Sequence, residues 1–366
     1  MRSLFSLFFS LMTLGQLVPY SDANAQTVPT RGGNRLTYLD EFCDPYYPNV
    51  DAARLTTPQW IGEKGVDAVI TLGIDDMRDP QKYEAYLRPI LDRLKKIDGR
   101  APVSIMACQV DPDDKQLQTW LSEGLSLECH TIDHPCPCLQ GGDLERAKDT
   151  YDRCVDLMNS IPGNGPVAFR FPCMDSLNTP SPKAYAEIVN QKTPNGNFLQ
   201  VSTSVTCLFT PDDPMLRSHF ETGESFDPRR FKKYVPFPSF VNQIKNHPYP
   251  YLIGNQCWEF PCTIPDDWQG QNIHRPHNPQ TVEDLKAAVD ASVTKQGVAN
   301  IIFHPHGWIR AEQIVEVIDH VEKKYGKRVK FLTFRECLDR INKHLLDNVA
   351  VRHRKTGMNP GVRILD

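Results

Sequence analysis

This sequence of 366 residues lacks an excess of charge of one sign, long apolar runs beyond its N-terminus, and the glycine motif of a dinucleotide-binding loop. Lys and Arg number 41 against 45 Asp and Glu, and no basic block is long enough to follow a phosphate backbone, so no nucleic-acid partner is expected. No G-x-G-x-x-G follows the first candidate strand, which leaves a dinucleotide site without support. With 40% hydrophobic residues, the chain can nevertheless bury a full core.

Residues 1–25 have the pattern of a secretory signal peptide. Arg2 precedes an apolar run from Leu4 to Val18, and Ala23 and Ala25 supply the small residues that a signal peptidase requires. After this run, no stretch approaches the roughly 18 apolar residues that a membrane span needs. We therefore expect cleavage near Ala25 and a secreted or periplasmic mature chain without a membrane span.

Eleven cysteines in a chain expected to be exported favour disulfides over thiolate metal sites, because the compartment is oxidising. Their odd number leaves at least one unpaired. Cys257 and Cys262 bound a short loop, and we expect them to form a local disulfide. A structural zinc knot that includes Cys136 and Cys138 is a competing interpretation.

From residue 66 onward, short β-branched runs alternate with segments of helical period, as in βα units around a parallel sheet. The helical spacing is clearest at Tyr83, Leu87, Ile90, Leu91 and Leu94. Seven such units favour a seven-stranded α/β barrel over an open doubly wound sheet. The candidate strands are 66–74, 102–107, 125–129, 167–171, 198–202, 299–303 and 329–333.

Residues 210–279 interrupt this alternation. The segment is dense in Pro and aromatic residues, has little periodicity, and is too long for a plain connection. We expect a structured insertion near the functional face, within a domain that spans 61–345. An N-terminal arm at 26–60 and a basic tail at 346–366 flank this domain.

Polar residues cluster at the carboxyl ends of the candidate strands, where barrel enzymes keep their sites. Two neutral imidazoles and one carboxylate can hold a divalent ion and leave positions open for water and substrate. A second carboxylate can accept a proton from that water. Each piece alone has a structural explanation, such as turn chemistry for the aspartate pair. The residues are Asp75, Asp76, His130, His134, Arg170, His304 and His306.

The order of these residues resembles that of the NodB-homology polysaccharide deacetylases, carbohydrate esterase family four. Four runs carry the resemblance: T-L-G-I-D-D at 71–76, H-T-I-D-H at 130–134, R-F-P-C at 170–173 and I-I-F-H at 301–304. The resemblance covers roughly 66–345 and implies a distorted seven-stranded (β/α) barrel. It also implies a hydrolase that removes acetyl groups from an acetylated polysaccharide and carries one divalent metal ion, for which zinc is favoured.

The resemblance further implies roles for five residues of the first three motifs. Asp75 would be the general base, and Arg170 would orient it. The metal ligands would be Asp76, His130 and His134. In chemical terms, the metal would polarise the acyl carbonyl and lower the pKa of the attacking water, whose proton Asp75 would receive.

The general acid is a choice between two histidines. His304 and His306 are two residues apart, so on an extended strand both side chains point to the same face. The family motif places its histidine directly after the apolar run that ends at Phe303, which favours His304 and leaves His306 for support or substrate contact. Cys173 would supply the oxyanion N–H, where the family usually has an aromatic residue.

The fourth motif of the family, an Asp-rich segment with Trp, has no clean match. Asp212-Asp213 lacks the Trp, and Asp266-Asp267-Trp268 lies within the insertion, so neither receives a catalytic role. Two other functions remain open. One is hydrolysis of a non-glycan amide or imide by the same fold, and the other is carbohydrate binding without turnover by a barrel that kept its metal cage.

Overall fold

The computed structural model describes residues 61–175, 182–221, 227–234, 243–253 and 257–344. The signal peptide, the N-terminal arm and the C-terminal tail expected from the sequence lie outside these residues, and the expected insertion is described in part. Within the described ranges, no helix has both the length and the apolar character needed to cross a membrane.

Twelve strands are found in the described residues. In chain order they are β1 (Ala68–Met77), β2 (Val103–Ala107), β3 (Ser126–Cys129), β4 (Ala168–Phe169), β5 (Val201–Ser202), β6 (Thr206–Leu208), β7 (Gln243–Lys245), β8 (Tyr251–Ile253), β9 (Cys257–Glu259), β10 (Cys262–Thr263), β11 (Val298–Phe303) and β12 (Val329–Phe331).

The helices fall between these strands. They are α1 (Pro80–Asp98), α2 (Lys115–Glu123), α3 (Leu144–Ser160), α4 (Pro182–Ala184), α5 (Pro214–Glu221), α6 (Asp267–His274), α7 (Pro279–Thr294) and α8 (Ala311–Tyr325). Short 3₁₀ turns lie at Gln140–Gly142, Pro172–Asp175, Pro228–Tyr234 and Gly326–Arg328, a π-helical turn covers Tyr185–Val189, and residues 334–344 are helical.

One sheet organises the fold, in the order β11-β1-β2-β3-β4-β5-β9-β8, with β12 also paired to β1. Its pairs are parallel except for β8 with β9. The backbone N–H of Asn300 in β11 donates to Thr263 Oγ1 in β10 (3.0 Å), which links the β11 edge of this sheet to a second, three-stranded sheet with the order β10-β6-β7. The α/β fold and its curled parallel sheet are thereby confirmed, and all seven predicted strands form.

The sheet departs from the predicted strands in two ways. First, β4 and β5 have only two residues each, because the chain leaves the ladder early: the N–H of Phe171 donates to Ser204 Oγ (3.0 Å) rather than to a strand. Second, β9 extends the sheet beside β5 from within 210–279. The described part of that segment therefore contributes two strands, β8 and β9, to the main sheet and is not only an appendage.

The register of β1 with β11 sets the position of two site residues. Side chains alternate along a strand, so Thr71, Gly73 and Asp75 share one face of β1. Asn300 pairs with Thr71 in the adjacent β11, and the register continues to the pair Ile74 and Phe303. The carboxyl ends of β1 and β11 therefore bring Asp75 and His304 side by side, although the two residues are far apart in the sequence.

Candidate active site

Asp76, His130 and His134 form a cradle at the carboxyl ends of β1 and β3. Their ligand atoms all lie within 4.8 Å of one another. Asp76 Oδ1 is 3.2 Å from His130 Nε2 and 2.7 Å from His134 Nε2. Burial would raise the pKa of Asp76, but its contacts with these histidines and with His306 hold it well below its usual range.

This donor set fits a divalent metal ion. His130 Nδ1 lies 2.8 Å from the carbonyl oxygen of Arg170, which can only accept a hydrogen bond, so the proton of a neutral imidazole sits on Nδ1. The lone pair of Nε2 then faces the Asp76 carboxylate, and two such acceptors need a cation between them. A backbone carbonyl that fixes the tautomer of a ligand histidine is the usual support of a metal site.

Asp75 lies beside the cradle and is bonded to a buried guanidinium. Arg170 is fully buried, and its Nη1 donates to Asp75 Oδ1. The rest of the guanidinium is held by Thr203, whose carbonyl accepts from Nε (2.9 Å) and whose Oγ1 accepts from Nη2 (3.1 Å). Burial opposes the charge of Arg170, but Asp75 offsets this and raises the pKa of the guanidinium. Arg170 thus fixes one carboxylate oxygen and leaves Oδ2 toward the cavity.

His304 faces the two aspartates from β11. Its Nε2 is 4.0 Å from Asp75 Oδ2 and 3.9 Å from Asp76 Oδ2. Its Nδ1 bonds Asp267 Oδ1 (2.8 Å), and its backbone N–H donates to Asp267 Oδ2 (2.7 Å). Burial opposes protonation of the ring, but the charge and hydrogen bond of Asp267, which is itself buried, raise the pKa of His304 to about 10.

His306 lies on the other side of Asp76, at the rim of the site. Its Nε2 bonds Asp76 Oδ2 (2.8 Å), and its ring stacks against that of His304 with 5.4 Å between centroids. Both rings also contact Trp308 edge-on. The structure therefore places His306 against Asp76 and places Nε2 of His304 near both aspartates.

Asp267 is the residue that sequence reasoning left without a role. It is the first residue of α6, whose N-terminus is capped by Asp266. Burial, and then the adjacent charge of Asp267, raises the pKa of Asp266 to about 7. The signal that could have identified Asp267 was the run Asp266-Asp267-Trp268, which has the composition of the missing fourth motif.

A cavity of about 200 Å³ opens between these groups. Asp75, Asp76 and His304 lie on its polar side, and Cys173 is part of its wall. Arg170 lies outside the lining, behind Asp75, and His306 lines a neighbouring groove on the far side of Asp76. The apolar part of the lining is formed by Cys136, Cys173, Met174, Trp268, Ile302 and Trp308.

The cysteine pairing differs from the expected one. Cys136 forms a disulfide with Cys173, whereas Cys257 and Cys262 are free thiols, so the predicted local disulfide is wrong. Cys257 belongs to β9 and Cys262 to β10, which lie in different sheets, and the Cys262 thiol instead donates to the carbonyl of Thr203 (3.3 Å). The zinc-knot interpretation fails as well, because Cys136 has no thiolate to offer.

Residues 62–187 match the family model of the polysaccharide deacetylases. The matched segment contains the first three motifs, from Asp75 to Cys173, whereas Asp267 and His304 lie beyond it. This match confirms the resemblance to the NodB-homology polysaccharide deacetylases. No curated protein matches the chain.

Several solved structures are similar to this chain at low identity. A Mycobacterium smegmatis protein assigned to the polysaccharide deacetylases is 14% identical, with a TM-score of 0.46 over 82% of this chain and 95% of that one. The Xyl-CE4 domain of a multidomain xylanase from the hindgut metagenome of Trinervitermes trinervoides is also 14% identical (TM-score 0.38, 81% and 94%). The peptidoglycan deacetylase PdaC from Bacillus subtilis is 14% identical (TM-score 0.40, 78% and 96%).

Proposed function

We propose that this protein is a metal-dependent hydrolase that removes acetyl groups from an acetylated glycan, such as a polymer of N-acetylglucosamine. The observation that carries the proposal is the arrangement around one cavity. A carboxylate fixed by a buried arginine and an imidazole paired with a buried carboxylate lie about 4 Å apart beside a three-residue metal cradle. A protein that only binds carbohydrate needs neither Asp75 nor His304.

Asp76, His130 and His134 would hold the metal, and zinc suits two imidazoles and one carboxylate. When bound, a divalent ion supplies Lewis-acid polarisation of the acyl carbonyl and lowers the pKa of the attacking water. His130 is oriented for this task by its bond to the Arg170 carbonyl, and Asp76 by its bond to His306.

Asp75 would accept a proton from the attacking water at Oδ2, since Oδ1 is bonded to Arg170. The fixed guanidinium keeps the carboxylate in one orientation, which is how a general base gains efficiency. The backbone N–H of Cys173, in the cavity wall, would donate to the carbonyl oxygen of the substrate as negative charge develops on it.

His304 would protonate the leaving amine or alcohol through Nε2. Asp267 supports this role, because an imidazole bonded to a buried carboxylate remains protonated near neutral pH. Trp268 and Trp308 present aromatic surface beside these groups, which suits contact with the apolar face of a sugar ring.

Acetate release provides the test. The purified protein, with and without a chelator, is incubated with acetylated chitooligosaccharides, peptidoglycan and acetylxylan. We expect metal-dependent acetate release from at least one glycan, loss of that release in Asp75→Asn, and no loss in the exposed control Asp212→Asn. Release from none of these substrates would refute the proposal. Turnover of a simple amide or imide instead would indicate the related amidohydrolase activity.

We also propose that the chain is exported and cleaved near Ala25. The apolar run from Leu4 to Val18 supports this, as does the Cys136–Cys173 disulfide, since disulfides persist in oxidising compartments. N-terminal sequencing of the protein isolated from its native source tests the proposal, and a mature chain that retains Met1 would contradict it.

A further inference from the structure

Two loops, which follow β3 and β4, line the cavity of the candidate active site, and a disulfide joins them. The first loop, residues 131–138, follows β3 and carries His134 of the cradle. The second, the turn at Pro172–Asp175, follows Arg170 and carries the N–H of Cys173. Cys136 and Cys173 are 37 residues apart in sequence, their Cα atoms are 5.7 Å apart, and both line the cavity. The link therefore lies at the site itself.

Both loops hold side-chain-bearing residues in the left-handed backbone region. The φ angles are 65° at Thr131 and 53° at His134 in the first loop, and 52° at Cys173 and 53° at Met174 in the second. A Cβ atom disfavours this conformation, most strongly for a β-branched residue such as Thr131. Such residues persist only where the surroundings hold them, and they concentrate at functional sites.

The hydrogen bonds that secure the first loop lie within the loop or join it to α3. The N–H of His134 donates to Thr131 Oγ1 (3.2 Å), and that of Asp133 donates to Thr150 Oγ1 in α3 (3.1 Å). In the second loop, the N–H of Met174 donates to the carbonyl of Phe171 (2.9 Å). These bonds shape each loop but do not join the two, whereas the disulfide does so through covalent bonds.

We propose that the Cys136–Cys173 disulfide is a positioning element of the active site, which holds His134 in the metal cradle and the Cys173 N–H in the cavity wall. This inference rests on the proposed function and adds a covalent link that positions two of its residues. Without the bond, each loop can relax out of the left-handed region, because nothing covalent opposes the change. The His134 imidazole and the Cys173 N–H then lose their fixed positions while β1, β3 and β11 keep theirs.

The proposal makes the site sensitive to reductants. The side chain of Cys136 is exposed, so a small reductant can reach the bond. With a water-soluble phosphine, the S–S bond breaks, the two sulfurs take up two electrons and two protons to become thiols, and the phosphine takes the oxygen of water to become its oxide. Added oxidised glutathione takes the two electrons and two protons of the thiols by thiol–disulfide exchange and becomes two reduced glutathione thiols, which restores the bond and, with it, the site.

Two measurements on Cys136→Ala/Cys173→Ala test the proposal, one for each loop. Competition with a chelating dye gives the Kd for Zn²⁺, and we expect it to rise by about 10 to 100-fold, the effect of removing the support of a metal ligand. At saturating Zn²⁺, we expect kcat for the glycan that the wild type deacetylates to fall by about 10²-fold through misplacement of the Cys173 N–H, with a smaller change in KM.

The matched control is Cys257→Ala, which removes a buried thiol that does not line the cavity. We expect this control to keep the wild-type Kd and kcat, and both variants to keep the wild-type circular dichroism. A folded double variant with the Kd and kcat of the wild type would overturn the proposal, because the disulfide would then only stabilise the chain.

If the double variant does not fold, the same constants are measured on native enzyme that has been reduced with the phosphine and alkylated. Unchanged affinity for Zn²⁺ in that folded, reduced enzyme would also overturn the proposal. A wild type that binds Zn²⁺ but releases no acetate refutes the proposed function and leaves the Zn²⁺ measurement to decide on the disulfide. A wild type that binds no Zn²⁺ refutes both.

Discussion

At Gly73 the backbone of β1 leaves space for the guanidinium of Arg170. A Cβ atom built on Gly73 would lie 3.0 Å from Nη1 and 3.2 Å from Nη2 of Arg170. Because Arg170 is fully buried and bonded at several atoms, it cannot move aside without leaving Asp75. The absence of a side chain at position 73 is therefore part of the geometry that holds Arg170 against Asp75.

We expect Gly73→Ala to lower kcat by about 10²-fold, the usual cost of a small misplacement of a catalytic group. Steady-state kinetics with acetate detection measures this effect. Gly165→Ala is the matched control, since its Cβ would also lie 3.0 Å from a guanidinium nitrogen, that of the exposed Arg335, which bonds the carbonyl of Gly165 and lies away from the site. Equal kinetics in the two variants would show that Arg170 does not position Asp75.

The choice between the two histidines is tested by alanine at each. We expect His304→Ala to lower kcat by about 10² to 10⁴-fold, the contribution of one positioned proton transfer, with metal content unchanged. His306→Ala should cost less. The opposite order of effects would assign the acid to His306, and metal lost from His304→Ala would mean that His304 is a ligand.

Asp267 sets the pH range over which His304 is protonated. Its charge raises the pKa of His304 to about 10, so the imidazolium persists from acid through neutral pH and is lost as the pH rises through that value. In Asp267→Asn we expect the alkaline limb of kcat to move down toward about 6.5, the ordinary pKa of histidine. A pH profile of the variant, with the exposed Asp92→Asn as control, measures the shift. An unmoved limb would contradict this account of Asp267.

At the scale of the elements, the long ones were predictable. The apolar stripe of α1 recurs every three or four residues, and Tyr83, Leu87, Ile90, Leu91 and Leu94 are all buried as that spacing indicates. Asp79 caps this helix by accepting from the N–H of Lys82 (3.1 Å), and Gly99 ends it with a φ of 73°. Local sequence carries enough information where one face of a helix repeats over many turns.

The stripe of α1 also carries a stability prediction. We expect Leu91→Ala to lower the free energy of unfolding by about 2 to 5 kcal/mol, because a buried side chain is lost and a cavity remains. Denaturant unfolding measures this effect. Lys96→Ala, on the exposed face of the same helix, should change the free energy by less than about 0.5 kcal/mol. A similar loss in both variants would mean that α1 does not pack as described.

The short elements could not be read from local sequence. The strands β6, β9 and β10 have two or three residues each, too few for a period to show, and they pair with partners that tertiary structure selects. The same reason hid Asp267, whose partner His304 lies 37 residues further along the chain. The pairing of Cys136 with Cys173 was equally hidden, since many pairings of eleven cysteines satisfy one sequence.

At the scale of the molecule, the metal should couple the site to global stability. An ion that binds only the folded chain stabilises it by about 2.7 kcal/mol at 100 times its Kd. We therefore expect EDTA to lower the Tm and added Zn²⁺ to restore it, as followed by calorimetry. His130→Ala/His134→Ala should have a Tm that neither EDTA nor Zn²⁺ changes. A response to Zn²⁺ in that double variant would place the metal elsewhere.

The eight site residues predicted from the sequence surround one region of the fold, and strand order explains why that was possible. Parallel strands end at one edge of a sheet, so residues that directly follow successive strands must meet there. His130 and His304 directly follow β3 and β11, and Asp75 and Asp76 lie within the last three residues of β1, so all four meet at that edge. Distance in the sequence was no obstacle, because the rule concerns strand ends and not neighbours along the chain.

The pairing of β1 with β11 also bears on how the protein is made. During translation β1 is synthesised early, but its partner β11 is synthesised more than 200 residues later. In the folded chain Ile74 lies opposite Phe303. Pairing over such a separation carries a large loop-closure cost and is slow to form. Until β11 has been synthesised, β1 lacks this partner strand, and Asp75 lacks the neighbouring imidazole of His304. The proposed activity therefore becomes possible only late in biosynthesis, because a chain halted before residue 304 has Asp75 but lacks His304.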